Sequence, residues 1–360
     1  MKFIRKAICF VSAITLALSL FVPAFATSYA DDRDIQYNTE VGVLSGIGIL
    51  SGYSDNRFRP SNTVTREEAA KMITYTLLGP TAASNLKYTK SSFSDVAIDR
   101  WSLPYIEWCA ENGIISGRGN GTFDPQGNIA SNEFAKMLLC AVGYGKKGEY
   151  TGTDWDYNAT RDAFIYGIFD SGEGTITQKT TRQQAAVFIY NAITKIEMVK
   201  YDYGYVPADG TAKKDNTIAA HNFGLKDDSI ITGAIEENSS NGVDGTKIGN
   251  TTYQIKTGRE LLGHYVTIYT NGNSGYNPKV YYLKDESQVV TLKSSISDLE
   301  AFKSAFGYYR FSDEAVAVFD KDLNCTKKYL VDFYPDRGVA PAGTYVIWLN
   351  KIAAYFPLTT

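Results

Sequence analysis

A turn followed by a helix start recurs three times in the first half of the chain, and no other feature restricts the fold as much. Gly48-Ile49-Leu50-Ser51-Gly52 matches Gly113-Ile114-Ile115-Ser116-Gly117 and, more loosely, Gly167-Ile168-Phe169-Asp170-Ser171. Thr65-Arg66-Glu67-Glu68 follows the first turn with the spacing of a capping box, in which the Thr65 hydroxyl covers an orphan N–H and Glu68 reaches back to the cap. Thr181-Arg182-Gln183-Gln184 repeats that form in the third copy, with Gln184 in the role of Glu68. The second copy reads Ala130-Ser131-Asn132-Glu133 and lacks both the threonine and the arginine.

Units of this length cannot bury an apolar face alone and must pack on one another. Ala69, Phe134 and Ala185 share one position, Met72, Met137 and Phe188 the next, and Ile73, Leu138 and Ile189 the one after. Each second helix therefore has an apolar stripe. Trp101 and Trp155 each stand twelve residues before their glycine, where the first copy has Gln36. The expected fold of this half is an all-α bundle of three repeats with pseudo-threefold symmetry, at 31–79, 93–144 and 150–196. The third copy is three residues shorter between its glycine and Thr181.

These features closely resemble the S-layer homology module. Its copies carry a Phe-Ser-Asp-Val opening, a Trp-bearing helix, a Gly-Ile-Ile-Ser-Gly turn, an Asp-Gly-Thr-Phe-x-Pro loop and an Ile-Thr-Arg-Ala-Glu helix start. Phe93-Ser94-Asp95-Val96, Trp101, Gly113 to Gly117 and Gly121-Thr122-Phe123-Asp124-Pro125 stand in the second copy almost unchanged. The first has Ser54-Asp55-Asn56-Arg57-Phe58-Arg59-Pro60, and the third lacks the Phe-x-Pro loop. The resemblance covers residues 31 to 196.

The 360 residues suffice for two ordinary domains. The first 26 read as a signal peptide: Lys2, Arg5 and Lys6 precede an apolar run from Ala7 to Val22, and Ala24-Phe25-Ala26 is a small-x-small cleavage signal. An uncleaved membrane anchor is the rival reading. Cleavage removes three positive charges and no negative ones, taking the formal charge from −3 to −6. A mildly acidic exported chain is a poor partner for nucleic acid. Cys109, Cys140 and Cys325 then remain, an odd number without metal-site spacing, and they read as free thiols in preference to a Cys109–Cys140 bridge.

Beyond a linker expected at 197–218, composition shifts. Ser229 to Ile235, Thr251 to Ile255, Tyr265 to Thr270, Val280 to Leu283 and Val289 to Leu292 are β-branched and aromatic runs between Asn, Gly and Asp. Ala315 to Phe319, Tyr329 to Phe333 and Thr344 to Leu349 continue them, with one helix expected over Ile296 to Phe306. Residues 219–360 are thus expected to form a β-rich domain, a small antiparallel barrel or sandwich. The chain is expected to be multidomain.

An arginine in a first helical turn, beside unpaired N–H groups and the positive end of the helix dipole, is a place for a carboxylate, and its fork can hold one with two hydrogen bonds. Arg66 and Arg182 stand there. The resemblance supplies a ligand: S-layer homology modules bind secondary cell-wall polymers, commonly carrying a pyruvate ketal on N-acetylmannosamine. Carried over by position, Arg66 and Arg182 hold the anion, Ser51, Gly52, Ser116 and Gly117 shape the groove, Trp101 and Trp155 lie against the sugar, and Thr65, Glu68, Thr181 and Gln184 support it as caps. Ser131 in place of an arginine and Gln36 in place of a tryptophan reduce the expected sites to one or two. Two blander readings stay open: the tryptophans fill gaps between helices, and the arginines pair with neighbouring glutamates. The Asp55-Asn56 loop lacks the ligand series of a calcium site and reads as a turn.

His221 and His264 have no partners at a familiar catalytic spacing. Glu236 with Glu237, Asp285 with Glu286 and Asp313 with Glu314 are candidate acid and base pairs for a glycosidic bond, but they flank expected turns, where solvated charge is the default. The expectation is a non-catalytic surface protein of a Gram-positive-type bacterium, needing no cofactor and no metal. It would be held noncovalently to pyruvylated wall glycan and display a structural or adhesive β-rich domain, with other surface-layer proteins as further partners. A carbohydrate-active enzyme tethered by the same repeats is the alternative.

Overall fold

The computed structural model describes residues 29–145, 148–169, 177–201, 204–207, 216–272, 278–296, 299–307, 309–311, 315–328 and 340–358. The expected signal peptide, Asp313, Glu314 and the expected strand Tyr329 to Phe333 lie outside them. The described residues divide into two compact units: 29–231 with Ile268–Lys284, and Thr232–Thr267 with those from Asp285 onward.

The described residues of the first unit include helices α1 Asn38–Gly46, α2 Arg66–Ser84, α3 Leu103–Glu111, α4 Ser131–Ala141, α5 Trp155–Ile165 and α6 Arg182–Lys195. Helices α1, α3 and α5 end alike. Gly48, Gly113 and Gly167 have φ of 87°, 67° and 73°, a left-handed conformation that glycine reaches without a Cβ penalty. Past each glycine, Ile49, Ile114 and Ile168 donate back to the carbonyls of Leu44, Cys109 and Ala163, closing the helix end. The first glycine of each turn is therefore a helix stop.

Helices α2, α4 and α6 start around a ring of backbone bonds. Val64 N–H donates to Thr180 O, Thr180 N–H to Ile129 O, and Ile129 N–H to Val64 O, each at 2.9 Å among fully buried residues. The next donors run round the same three segments in the opposite sense: Arg66 N–H bonds Gly127 O, Ser131 N–H bonds Gln178 O, and Arg182 N–H bonds Asn62 O. Three chain segments far apart in sequence thus satisfy one another's buried backbone groups. Ala69, Ile73, Phe134, Leu138, Ala185 and Ile189 fill the core beneath.

Three expectations need correction here. Helix does not stop at the bound expected at 79, because it resumes at Pro80 after a kink at Gly79 (φ 74°) and runs to Ser84. The stretch placed in a linker at 197–218 contains an antiparallel hairpin, β1 Met198–Tyr201 and β2 Gly204–Pro207. The boundary expected at 218/219 is not where the units divide. Helix α7, Ile218–Phe223, buries Ile218, Ala219 and Phe223 in the helical core, and Asn222 Nδ2 donates to Leu77 O at 3.0 Å at the end of α2. Periodicity gives no warning of this, since the apolar face of a short helix does not say which core it joins.

The remaining strands are β3 Ile230–Asn238, β4 Thr246–Ile248, β5 Thr251–Tyr253, β6 Tyr265–Thr270, β7 Val280–Asp285, β8 Gln288–Leu292, β9 Arg310–Phe311, β10 Val316–Phe319, β11 Cys325–Lys328, β12 Gly343–Trp348 and β13 Lys351–Pro357, with helix α8 at Leu299–Phe306. They form a five-stranded sheet in the order β5-β4-β3-β6-β7 and a six-stranded one in the order β11-β10-β13-β12-β8, with β9 beside β13. The second sheet corrects the antiparallel expectation, because β13 runs parallel to both β10 and β9. Phe302, Phe306, Phe311, Tyr345 and Ile352 make its core.

Candidate functional site

Two grooves open on the helical unit, and each draws on four separated segments. One, of about 220 Å³, is lined by Ile49 to Tyr53 of the first turn, Glu68, Lys71 and Met72 of α2, Trp101 just before α3, and Arg182 from the start of α6. The other, of about 450 Å³, is lined by Ile114 to Gly119, Glu133, Lys136 and Met137 of α4, Trp155 at the start of α5, and Arg66 from the start of α2. The structure therefore sorts the expected site residues into two sets: Arg182 with Ser51, Gly52 and Trp101, and Arg66 with Ser116, Gly117 and Trp155.

Neither arginine lies beside open helix N–H groups, which corrects the expected anion site at the helix tips. The backbone N–H groups of Arg66 and Glu67 bond Gly127 O and Pro125 O, and those of Arg182 and Gln183 bond Asn62 O and Pro60 O. The third N–H is capped, by Thr65 Oγ1 onto Glu68 and by Thr181 Oγ1 onto Gln184, while Glu68 and Gln184 accept from the cap N–H at 2.8 and 2.9 Å. The cationic groups in the grooves are side chains.

Each arginine is buried and serves first as a staple. Arg182 Nε donates to Phe58 O and its Nη2 to Ser51 O, both at 2.9 Å, with the guanidinium 4.8 Å from the Tyr53 and Phe58 ring centres. Arg66 Nε donates to Phe123 O at 2.9 Å and its Nη2 to Ser116 O at 3.2 Å. Burial lowers the Arg66 pKa from its ordinary value, and the neighbouring Arg118 charge adds to that. The accepting loops are themselves braced alike: Asp31 takes the N–H groups of Phe58 and Arg59, and Asp95 those of Phe123 and Asp124, all at 2.7 Å.

The second glycine of each of these two turns lines its groove and keeps a tight fold. A Cβ on Gly52 would sit 2.5 Å from the Tyr29 ring, and one on Gly117 would sit 2.5 Å from Thr122 O and 2.8 Å from the Phe93 ring. Trp101 is 51% exposed, so it does not fill an interhelical gap. Trp155 is half-buried at the edge of its groove.

Sequence reasoning missed the lysines. Lys136 Nζ lies 4.9 Å from the Trp155 ring centre, and Lys71 Nζ lies 5.9 Å from Trp101 and 5.4 Å from Tyr75. No carboxylate within ion-pair distance is described for either, so each groove presents an ammonium on an aromatic face. The signal was present as a Glu-x-x-Lys-Met run, Glu68 to Met72 and Glu133 to Met137, of which only the methionines were used. Arg118 and Tyr53, each next to the turn's second glycine, were also missed.

The profile of the S-layer homology domain matches residues 28–70 and 92–129. The chain carries S-layer homology domains. Both grooves draw their turns and loops from these domains. The chain is also similar to a cell surface protein of Thermoanaerobacter kivui, 26% identical over 303 residues, which is 81% of this chain and 37% of that one. A surface layer protein of Brevibacillus choshinensis is 27% identical over 146 residues, 40% of this chain and 13% of that one. A cellulosome-anchoring protein of Acetivibrio thermocellus is 36% identical over 88 residues, 24% of this chain and 20% of that one. The chain thus spans well under half the length of these relatives.

The second unit holds one constellation that sequence spacing did not show. His264 Nδ1 and Asp285 Oδ2 lie 2.8 Å apart with both side chains at most 5% exposed, clamping the start of β6 to the end of β7. Of the carboxylates weighed as an acid and a base, Glu236 pairs with Lys327 at 2.7 Å, Glu237 with Lys247 at 2.6 Å, and Glu286 accepts from Thr267 at 3.3 Å. The described cysteines Cys109, Cys140 and Cys325 are free thiols. Among the described residues no helix is long and apolar enough to cross a membrane.

Proposed function

We propose that the helical unit consists of three S-layer homology repeats and anchors the protein noncovalently to an anionic cell-wall glycan, in two grooves that use Arg182, Lys71 and Trp101, and Arg66, Lys136 and Trp155. The observation that carries this reading is the duplication of one cation-aromatic set, assembled both times from four segments. A sugar ring has an apolar face that stacks on an exposed indole, and a ketal carboxylate fits a neighbouring guanidinium and ammonium. The pyruvylated wall polymer expected from the resemblance has both features. The surface proteins to which the chain is similar support a location at the cell surface, and the anchoring protein among them supports attachment.

We read the second unit as the displayed part, structural or adhesive. The pairing of Glu236 and Glu237 with lysines and of Asp285 with His264 supports display over catalysis.

The test is cosedimentation of the mature protein with purified Gram-positive walls, before and after the wall polymer is stripped. Changing both arginines would remove staples and loosen the fold, so the informative variant carries Lys71→Ala, Trp101→Ala, Lys136→Ala and Trp155→Ala. Pelleting that is lost on stripping and in the folded variant is the expected result. Pelleting that survives both would sink the proposal.

A further inference from the structure

We propose that Glu133 is a built-in anion competing with ligand in the Arg66 groove, so that the two grooves differ in affinity for one carboxylated sugar and the Arg182 groove fills first. This deepens the glycan reading above and rests on it.

The two grooves share their frame and differ in whether a carboxylate faces the stapled arginine. In α2, Glu68 Oε2 accepts both the N–H and the hydroxyl of Thr65, at 2.8 and 3.0 Å, and the residue after the turn's second glycine is the uncharged Tyr53. Glu68 is thereby held to its cap, and no carboxylate lies within ion-pair distance of Arg182 among the described residues. In α4 the cap is Ala130, which has no hydroxyl, and the residue beside the turn is Arg118. Glu133 covers the Ala130 N–H with Oε2 at 2.9 Å, and its Oε1 turns into the groove. There Oε1 accepts from Arg118 Nη1 at 2.9 Å and lies 3.7 Å from Arg66 Nη1. Arg118 is further held by Asp124, 3.0 Å from its Nη2. The Arg118 pKa stands above its ordinary value: burial alone would lower it, but the hydrogen bond to Asp124 and the charge of Glu133 outweigh that.

Arg66 Nε and Nη2 are engaged by Phe123 O and Ser116 O, so Nη1 is the end of the fork left to meet a ligand. In this groove Glu133 Oε1 already stands in front of it. An incoming carboxylate must displace Glu133 or share the cations with it at the cost of like-charge repulsion. Arg182 Nη1 meets no such competitor. The larger groove has more cations and is the weaker one for a singly charged acidic sugar.

The chain itself shows which substitution leaves the frame intact. Gln184 occupies the equivalent position in α6 and caps its helix through a neutral oxygen, so Glu133→Gln keeps the cap and removes the charge. The experiment is a titration of the full mature chain, with its tryptophans labelled with nitrogen-15, against a hexosamine monosaccharide bearing a pyruvate ketal and against the same sugar without the ketal. The indole N–H signals of Trp101 and Trp155 report the two grooves separately and are assigned with Trp101→Phe and Trp155→Phe. In the native chain the Trp101 signal saturates first with the ketal sugar. In Glu133→Gln the Trp155 groove tightens by roughly fivefold while the Trp101 groove is unmoved. Equal or earlier saturation at Trp155 in the native chain overturns the proposal, as does an unchanged Trp155 affinity in Glu133→Gln. No shift at either indole overturns the glycan reading with it, which distinguishes the two failures.

Discussion

Set beside the two grooves, the corresponding described positions at the start of α4, on α6 and before α1 hold no member of the cation-aromatic set. By the cycle that brings Arg182 to the first turn and Arg66 to the second, the third face faces the start of α4, where Ser131 stands. Lys71 and Lys136 correspond there to Val187, and Trp101 and Trp155 to Gln36, whose N–H bonds Gln183 Oε1 on α6. Ser131 and Gln36 read in the sequence as departures of two different copies, yet by this correspondence they fall together with Val187. Helix α4 nevertheless starts normally, with Ser131 buried and its N–H on Gln178 O. The frame can therefore be built without arginine, lysine or tryptophan, and where one of the three is present the other two accompany it. That co-occurrence supports the proposal that the set acts together on a ligand.

The comparison breaks first on stability. Arg182→Ala removes two donors from the carbonyls of Phe58 and Ser51, and a buried acceptor left without a partner costs about 1–3 kcal/mol. We expect a loss of about 3 kcal/mol in urea unfolding of the helical unit, against less than about 1 kcal/mol for Ser131→Ala, which deletes a hydroxyl 3.3 Å from Thr180 Oγ1. Equal losses at the two positions would mean that the guanidinium is not a staple. The next largest effect is on binding. Trp101→Ala is expected to weaken wall cosedimentation about fivefold, since an exposed aromatic face against a sugar or cation contributes on the order of 1 kcal/mol. Trp155→Ala should weaken it less and Gln36→Ala not measurably. A Gln36→Ala effect as large as that of Trp101→Ala would end the distinction between the faces.

Local signals marked the helices well. Thr65 and Thr181 begin α2 and α6, the left-handed glycines end α1, α3 and α5, and the β-branched runs became β3, β6, β8 and β12. What stayed hidden depends on contacts across long stretches of chain. Arg182 donates to Ser51 across 131 positions, and nothing in Thr-Arg-Gln-Gln says which turn it will meet. The hairpin β1–β2 was hidden because Tyr-Asp-Tyr-Gly-Tyr mixes strand formers with turn formers and has no period of two. His264 and Asp285 are 21 positions apart, joined only by strand register. Glu133 stood only as part of a copy lacking its threonine and arginine, because where its second oxygen goes depends on a hydroxyl missing at Ala130 and an arginine present at position 118.

The smallest expected effect separates the two loops behind the grooves. Asp95 is exposed, and burial alone would raise its pKa slightly, but the N–H groups of Phe123 and Asp124 hold it below its ordinary value of 3.8. Those bonds favour the charged form, so their contribution is fully present above the ordinary value and is lost as pH falls through the lowered one. Asp95→Asn should cost less than about 1 kcal/mol at neutral pH, because an exposed carboxylate is well screened, and the deficit should vanish in acid. It should also move the Trp155 indole signal and leave that of Trp101 in place, since the Phe123 carbonyl that Asp95 positions is the acceptor for Arg66, whereas Arg182 relies on Phe58 and Asp31. A deficit that persists in acid would mean that the side chain acts there by packing and not by charge. Movement of both indoles would mean that the two loops are coupled, and the grooves could then no longer be treated as independent sites.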